Sequence, residues 1–197
     1  MGQISDCVNR LAASATFAMM QKSNELAAQG VNVVNMSVGE PDFNTPDYVK
    51  NAAKQAIDEN YSTYSPVPGY MSLRKACSDK LKRENNLDYA PTQIVVSTGA
   101  KQSLCNAIMA VVNPGDEVLL PSPCWVSYPE MVKLAGGVPV VIKAGIEQDF
   151  KVTAQQIADA ITPKTKAIMI CSPSNPTGSV YSKQELEEIA KVLIANP

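Results

Sequence analysis

The chain has 197 residues, of which 45% are hydrophobic and 18% charged, and its formal net charge is -2. This balance suits a globular protein with one good core and excludes a chain dominated by disorder. A nearly neutral chain without a clustered basic surface is not expected to bind nucleic acid or an anionic membrane. No apolar run approaches the roughly 18 residues that a membrane-spanning helix needs.

The numbers of cysteines and histidines limit which cellular compartment and which catalytic chemistry are expected for the chain. The five cysteines are odd in number and contain no C-x-x-C pair, which favours a reducing cytoplasm over a secreted disulfide framework. The N-terminus lacks the pattern of a secretory signal. The absence of histidine excludes Ser-His-Asp and Cys-His catalysis and His-ligated zinc within this chain.

The first third of the chain predicts helices joined by loops. Apolar spacing predicts a helix over 14–29, with Ser14 as its N-cap and Gly30 as its stop. A short strand over 31–36 leads into a loop in which Gly39 would let a ligand approach the backbone, although a simple turn explains the same residues. Further helices are predicted over 47–59 and 71–84.

A proline-rich loop with three tyrosines lies between these last two helices, over 61–70. Its tyrosine hydroxyls, including that of Tyr64, would suit a phosphate or a partner subunit, although surface packing is the commoner role.

A β-branched strand that begins at Gln93 turns through Gly99 into a helix predicted over 102–112. The N-terminus of a helix presents unpaired backbone N–H groups and the positive end of the helix dipole, so Gly99, Ala100 and Lys101 are candidates to hold a phosphate. The pattern is neither a Walker loop nor a G-x-G-x-x-G dinucleotide fingerprint.

From Ile94 onward, strands and helices alternate, which predicts a parallel sheet built from βαβ units. The remaining strands are predicted over 117–120, 138–142 and 166–171. The remaining helices are predicted over 126–135, 150–161 with a cap near Thr153, and 182–194 with a Ser182–Glu185 capping box.

Two side chains stand where predicted strands end. Trp125, the single tryptophan, is either a core residue or a surface for stacking a flat heteroaromatic ligand. Asn175, fixed by Pro176, is either part of a turn or a ligand contact, since ligands of such sheets bind beyond the carboxyl ends of strands. A flat aromatic cofactor with a phosphate would use both residues and the Gly99 turn.

Five motifs, in this order, carry a family resemblance. They are Ser37-Val38-Gly39-Glu40-Pro41-Asp42-Phe43, Tyr64-Ser65-Pro66-Val67-Pro68-Gly69, Gly99-Ala100-Lys101-Gln102, Pro123-Cys124-Trp125-Val126-Ser127-Tyr128-Pro129 and Ser172-Pro173-Ser174-Asn175-Pro176-Thr177-Gly178. With them the chain resembles the N-terminal half of a fold-type I, pyridoxal-phosphate-dependent aminotransferase, closest to the aspartate aminotransferases.

The resemblance implies an α/β fold with three αβα layers around a mainly parallel sheet, which is the large domain of these transferases in truncated form. Residues 1–45 would form an N-terminal helical arm and a small-domain segment. Residues 46–197 would form the truncated cofactor-binding domain.

The resemblance also implies roles for individual residues. The amides of residues 99–101 would bind the phosphate of pyridoxal phosphate, and Trp125 would stack on its pyridine ring and border the substrate. Asn175 would bind the phenolic oxygen of that ring and reach the α-carboxylate of the substrate, where Gly39 would also lie. Tyr64 would reach the cofactor phosphate of a neighbouring subunit, which implies a homodimer.

Further positions follow from the same family. Pro123 and Pro176 match sites that commonly carry cis peptide bonds. Thr16 and Lys101 stand where a distal carboxylate would meet a hydroxyl and an ammonium, which favours aspartate or glutamate as the substrate.

The family's Schiff-base lysine, the aspartate that pairs with the pyridine nitrogen and the carboxylate-binding arginine have no match before Pro197. We therefore expect the chain to be inactive alone and its parent to transfer amino groups between an amino acid and a 2-oxo acid. A carbon–sulfur lyase or synthase of the same fold, and a non-catalytic binding or structural module, are the alternatives.

Overall fold

The computed structural model describes residues 4–13, 15–36 and 39–197. The chain divides into two compact units. The sheet unit comprises Met1–Met19 and Leu104–Pro197, and the middle unit comprises Met20–Ser103. The sequence-based division into residues 1–45 and 46–197 stays a prediction.

Eight α-helices and three strands account for the regular structure of the described residues. In chain order they are α1 Asp6–Asn9, α2 Ala15–Ala28, α3 Asp47–Asp58, α4 Met71–Asn85, α5 Gly99–Val111, β1 Glu117–Ser122, α6 Ser127–Leu134, β2 Val138–Lys143, α7 Ala154–Ala160, β3 Thr165–Ile168 and α8 Lys183–Ala195. Two short 3₁₀ turns lie at Pro91–Gln93 and Ile146–Gln148.

Local capping explains where the predicted helices begin and end. After α2, Gly30 adopts a φ of +80° and its N–H donates to the Ala27 carbonyl at 3.0 Å, so the predicted stop is confirmed. At α8, the Ser182 hydroxyl accepts from the Glu185 N–H at 3.2 Å, which confirms the predicted capping box. The predicted N-cap Ser14 lies outside the described residues.

The sheet is parallel, as predicted, and its strand order is β2-β1-β3. Leu119 in the central strand pairs with Val140 on one side and with Ile168 on the other. Strand β3 ends at Ile168, three residues before the predicted end, although the Met169 N–H still donates to the Leu119 carbonyl at 3.0 Å.

Alternating side chains of β1 enter two cores, one on each face of the sheet. Val118 and Leu120 pack with residues of α5 and α6, whereas Leu119 packs with residues of α7 and α8. All three side chains are fully buried, and burial of each contributes about 1.5–3 kcal/mol relative to exposure. Helices therefore cover both faces, which confirms the predicted three-layer αβα architecture.

Two predicted strands are wrong. Residues 31–36 and 94–97, all described, have no regular secondary structure. β-Branched residues favour extended backbone, but a strand also requires a partner for its N–H and C=O groups. The Val96 N–H instead donates to the Pro68 carbonyl at 3.0 Å, so this segment bonds to a loop and not to a strand.

Two helix starts differ from prediction. Helix α5 begins at Gly99 and not at Gln102, because the chain becomes helical directly after the glycine. Helix α7 begins at Ala154, after the confirmed Thr153 capping box, and not at Phe150. Phe150 has a φ of +55°, which is incompatible with a right-handed helix.

The N-terminal segment of the sheet unit forms α1, which the sequence did not predict, and then contacts α6. The Ala12 N–H donates to Glu130 Oε2 at 2.8 Å, and Glu130 also pairs with Lys133 at 2.8 Å. This contact holds the segment that follows α1 against α6 within the sheet unit. Among the described residues, no helix has the length and apolar character needed to span a membrane.

Candidate functional site

A cleft in the sheet unit lies beyond the carboxyl ends of β1 and β3. Cys124, Tyr128 and Asn175 are among the residues that line it, together with Phe150 and Lys151. Parallel strands that end together open a crevice at this edge of an α/β sheet, so the position matches the sequence-based expectation for a ligand site. The sheet unit therefore places the loops that carry Trp125 and Asn175 at the same edge.

Trp125 lies between β1 and α6, and its orientation is fixed by an aromatic neighbour. Its ring contacts that of Tyr128 in an edge-to-face arrangement, with centroids 5.6 Å apart and planes at 88°. The Tyr128 N–H also donates to the Trp125 carbonyl at 3.0 Å. The indole is half-buried and borders the core on the α5–α6 side of the sheet, so it is held in place without being enclosed.

Asn175 is exposed on a loop that its own backbone closes. The Gly178 N–H donates to the Ser174 carbonyl at 2.8 Å, and the Ser174 N–H donates to the Ser179 carbonyl at 2.9 Å. Gly178 has a φ of +76°, which glycine adopts without the steric cost of a side chain. This loop holds the Asn175 amide at the rim of the cleft.

Three cis peptide bonds lie in these two loops. Those at Ser122–Pro123 and Asn175–Pro176 confirm the prediction made for both prolines. A third, at Ser172–Pro173, was not predicted.

Two of the side chains that line the cleft, those of Cys124 and Tyr128, are neutral. Burial raises the pKa of the Cys124 thiol. Burial, together with the neighbouring thiol of Cys171, raises the pKa of Tyr128 to about 12. These groups therefore stay protonated near neutral pH, and the described residues contain no cluster of His, Cys, Asp and Glu suited to a metal ion.

Lys151 lines the same cleft as a paired cation. Its Nζ lies 2.9 Å from Glu185 Oε1, and this carboxylate raises the pKa of the lysine. A charged ammonium has no lone pair for attack on a carbonyl, so Lys151 is a poor candidate for a nucleophilic amine.

The start of α5 lies in the middle unit. Gly99 has a φ of +81°, and a Cβ added there would meet nothing within 4 Å, so the backbone turn and not a close contact is what requires glycine. The Gly99 N–H donates to the Ser97 carbonyl at 2.8 Å, and the Thr98 N–H donates to Gln102 Oε1. Ala100 and Lys101 follow as the second and third residues of the helix, both exposed.

Backbone N–H groups in the first turn of a helix lack intrahelical partners and lie at the positive end of its dipole. A helix start at Ala100 and Lys101 would suit a phosphate, and this role stays a prediction. The structure makes these residues part of the helix itself, which differs from the preceding loop that was expected.

The other predicted site residues lie on exposed or half-buried positions. Gly39 and Tyr64 are exposed in loops of the middle unit, and Thr16 is half-buried in the first turn of α2. Their roles toward a ligand stay predictions.

Sequence reasoning missed several residues that shape the two units. Tyr181 lines the Asn175 cleft and accepts the Val152 N–H through its hydroxyl at 2.9 Å. Arg74 is buried in the middle unit, where its Nε–H donates to the Ile94 carbonyl at 2.9 Å. Both contacts join segments 20 or more residues apart, so no local pattern could have indicated them.

Comparison with known proteins agrees with this architecture. The chain is 50% identical over its full length to an aspartate/prephenate aminotransferase of Cereibacter sphaeroides, and 50% identical over 189 residues to an aspartate aminotransferase of a Bacillus species. These matches cover 49% and 48% of the two relatives, so the chain spans about half the length of the curated relatives it matches.

Solved structures give the same result. The aspartate aminotransferase of Thermus thermophilus with maleate superimposes with a TM-score of 0.94 at 44% identity, over 99% of this chain and 51% of that one. The aspartate aminotransferase of Rhizobium meliloti superimposes with a TM-score of 0.96 at 38% identity, over 100% of this chain and 49% of that one.

The family model for aminotransferase class I and II matches residues 31–196. That range contains the Gly99 turn, the Trp125 loop and the Asn175 loop described above. The chain therefore belongs to the class I and II aminotransferase family.

Proposed function

We propose that this chain is the cofactor-binding part of an aminotransferase that moves an amino group between an amino acid and a 2-oxo acid. The observation that carries the proposal is the start of α5, where a glycine with positive φ leads directly into two exposed helical residues suited to a phosphate. Membership of the class I and II family, whose enzymes use pyridoxal phosphate, supports the same assignment.

The phosphate of the cofactor would be bound at the start of α5. The N–H groups of Ala100 and Lys101 would donate to its oxygens, and the dipole of α5 would favour its negative charge. Gly99 would allow the backbone to turn into the helix at this point. Such charge-assisted bonds are about twice as strong as neutral ones.

The ring of the cofactor would be bound by the loops that carry Trp125 and Asn175. Trp125, held edge-to-face against Tyr128, would stack on the pyridine, and the Asn175 amide would donate to the phenolic oxygen. Pyridoxal phosphate would supply the electron sink that amino-group transfer requires. The protonated Cys124 thiol and Tyr128 phenol would add no negative charge beside the ring.

The substrate would be met by the residues that the family resemblance identifies. Gly39 and Asn175 would bind its α-carboxylate, and Thr16 and Lys101 would meet a second carboxylate. We therefore propose aspartate or glutamate as the amino donor, in agreement with the names of the relatives.

Two further features belong to the proposal. The fully exposed side chain of Tyr64 would reach the cofactor phosphate of a second copy, so the active form would be a homodimer. The five cysteines all carry free thiols, which supports a reducing, cytoplasmic compartment.

The test is an amino-transfer assay on the full-length protein that contains this chain, with aspartate or phenylalanine as the donor. Lys101→Ala should lower kcat/KM for aspartate by about tenfold or more, the value of one charge-assisted hydrogen bond, and change that for phenylalanine far less. Lys164→Ala, an exposed lysine of the sheet unit, is the matched control. Equal losses of kcat/KM for aspartate and phenylalanine would contradict the assignment of a dicarboxylic substrate. If the unsubstituted protein transfers no amino group, the proposed function is wrong.

A further inference from the structure

Arg74 is a charged side chain of the middle unit that is buried. It lies in α4 and is only 8% exposed, whereas Lys75, Lys80 and Arg83 of the same helix form ion pairs on its surface. A guanidinium is costly to bury unless its donors are bonded, so the site must provide an acceptor. That acceptor is the Ile94 carbonyl, 2.9 Å from Arg74 Nε.

The segment that Arg74 contacts is also held by the loop before α4. The Val96 N–H donates to the Pro68 carbonyl at 3.0 Å. A Cβ added to Gly69 would lie 2.9 Å from the Val96 Cβ, so loop and segment are in close contact. With these contacts, residues 94–96 are fixed without being part of a sheet.

This fixed segment leads to α5 in three residues. After Val96, the Ser97 carbonyl accepts the Gly99 N–H at 2.8 Å, and the Thr98 N–H donates to Gln102. A shift of residues 94–96 would therefore move the turn that begins α5. Phosphate binding by backbone N–H groups depends on the placement of that turn.

We propose that Arg74 is a positioning residue for phosphate binding at Ala100 and Lys101. It acts through the Ile94 carbonyl and does not contact the ligand. The inference rests on the proposed function, because it assumes that the start of α5 binds the cofactor phosphate. A merely structural arginine would stabilise the middle unit without affecting the preference for a phosphorylated ligand.

The test compares the affinity of the 197-residue chain for pyridoxal phosphate with its affinity for pyridoxal, which lacks the phosphate. Arg74→Met keeps an apolar side chain and removes the donors, and it should lower the preference for the phosphorylated ligand about tenfold, the effect of losing one hydrogen bond to a charged group. Arg74→Lys should restore part of it. Arg83→Met removes an exposed guanidinium from the same helix and should change nothing.

Amide hydrogen exchange without ligand gives the second readout. In Arg74→Met, exchange at Val96 and Thr98 should accelerate about tenfold, while amides of α3 in the same unit keep their rates. Uniform acceleration across the unit, or an unchanged preference for the phosphorylated ligand, would overturn the inference. If Arg74→Met does not fold, the ligand preference and the amide exchange are measured on Arg74→Lys. This variant should show smaller changes in the same direction.

Failure of the proposed function would look different. The unsubstituted chain would then bind pyridoxal phosphate and pyridoxal equally. That result alone would show that the start of α5 does not bind the phosphate, whatever the variants do.

Discussion

The hydroxyl of Tyr181 makes a buried hydrogen bond whose removal should cost a measurable part of the stability of the sheet unit. Val152, which donates its N–H to this hydroxyl at 2.9 Å, is 3% exposed, and Tyr181 is 8% exposed. Tyr181→Phe keeps the ring and its packing but leaves the Val152 N–H buried without an acceptor. The expected loss is about 1–3 kcal/mol in the free energy of unfolding, the usual cost of an unsatisfied buried donor.

Urea unfolding followed by tryptophan fluorescence measures this loss, because the single tryptophan, Trp125, lies in the same unit as Tyr181. The midpoint should fall while the slope with urea concentration stays the same, since the surface exposed on unfolding does not change. Tyr48→Phe, at a tyrosine that is largely exposed, should stay within about 0.5 kcal/mol of the unsubstituted chain. A Tyr181→Phe variant as stable as the Tyr48→Phe variant would show that the hydrogen bond between Tyr181 and Val152 does not stabilise the sheet unit.

Two further predictions concern backbone conformation and pH. Gly69→Ala should destabilise the middle unit by about 1–3 kcal/mol, because φ is +93° and the new Cβ would lie 2.9 Å from that of Val96. The control is Gly30→Ala, where φ is +80° and a Cβ would have no atom within 4 Å, so its cost should be smaller. Hydrogen exchange measures both losses of stability, and equal losses would contradict the predicted clash with Val96. The Lys151 ammonium and the Ser182 cap lower the pKa of Glu185 from 4.5 to about 2. The ionised Glu185 carboxylate therefore stabilises the folded chain fully above pH 4.5, and this stabilisation is lost as the pH falls toward 2. Glu185→Gln should therefore show a shallower acid-induced loss of stability in the sheet unit, and parallel pH profiles for the two proteins would count against this pairing.

Local sequence signals predicted the helices well because their physical causes are local. The Ser182–Glu185 capping box and the Gly30 stop depend on residues within one turn of the helix end, and both occur as expected. Strand β1 was predicted from its apolar run and is buried on both faces of the sheet.

Strands were predicted less well because pairing depends on distant residues. Residues 94–96 are β-branched and were therefore predicted as a strand, yet their backbone bonds to Pro68 and to Arg74. No local pattern distinguishes a segment that pairs in a sheet from one that is held by a loop and a buried arginine.

The places of the candidate site residues in the fold could be predicted in part, whereas their roles toward a ligand stay predictions. The positions of Gly99, Trp125 and Asn175 at the ends of runs and turns are readable from the sequence, as are the cis bonds before Pro123 and Pro176 through the family resemblance. The cleft residues Phe150 and Tyr181 were missed, because the turn at Phe150 and the tyrosine hydroxyl bond appear only when the chain is folded.

The most direct test of the central claim is a titration of the 197-residue chain with pyridoxal phosphate, followed by the fluorescence of Trp125. Binding should quench the fluorescence of Trp125, because the pyridine would stack on the indole. Pyridoxal phosphate should also bind at least about tenfold tighter than pyridoxal, because the start of α5 would bind the phosphate. Equal affinity for the two ligands, or binding that leaves the tryptophan fluorescence unchanged, would contradict the central claim.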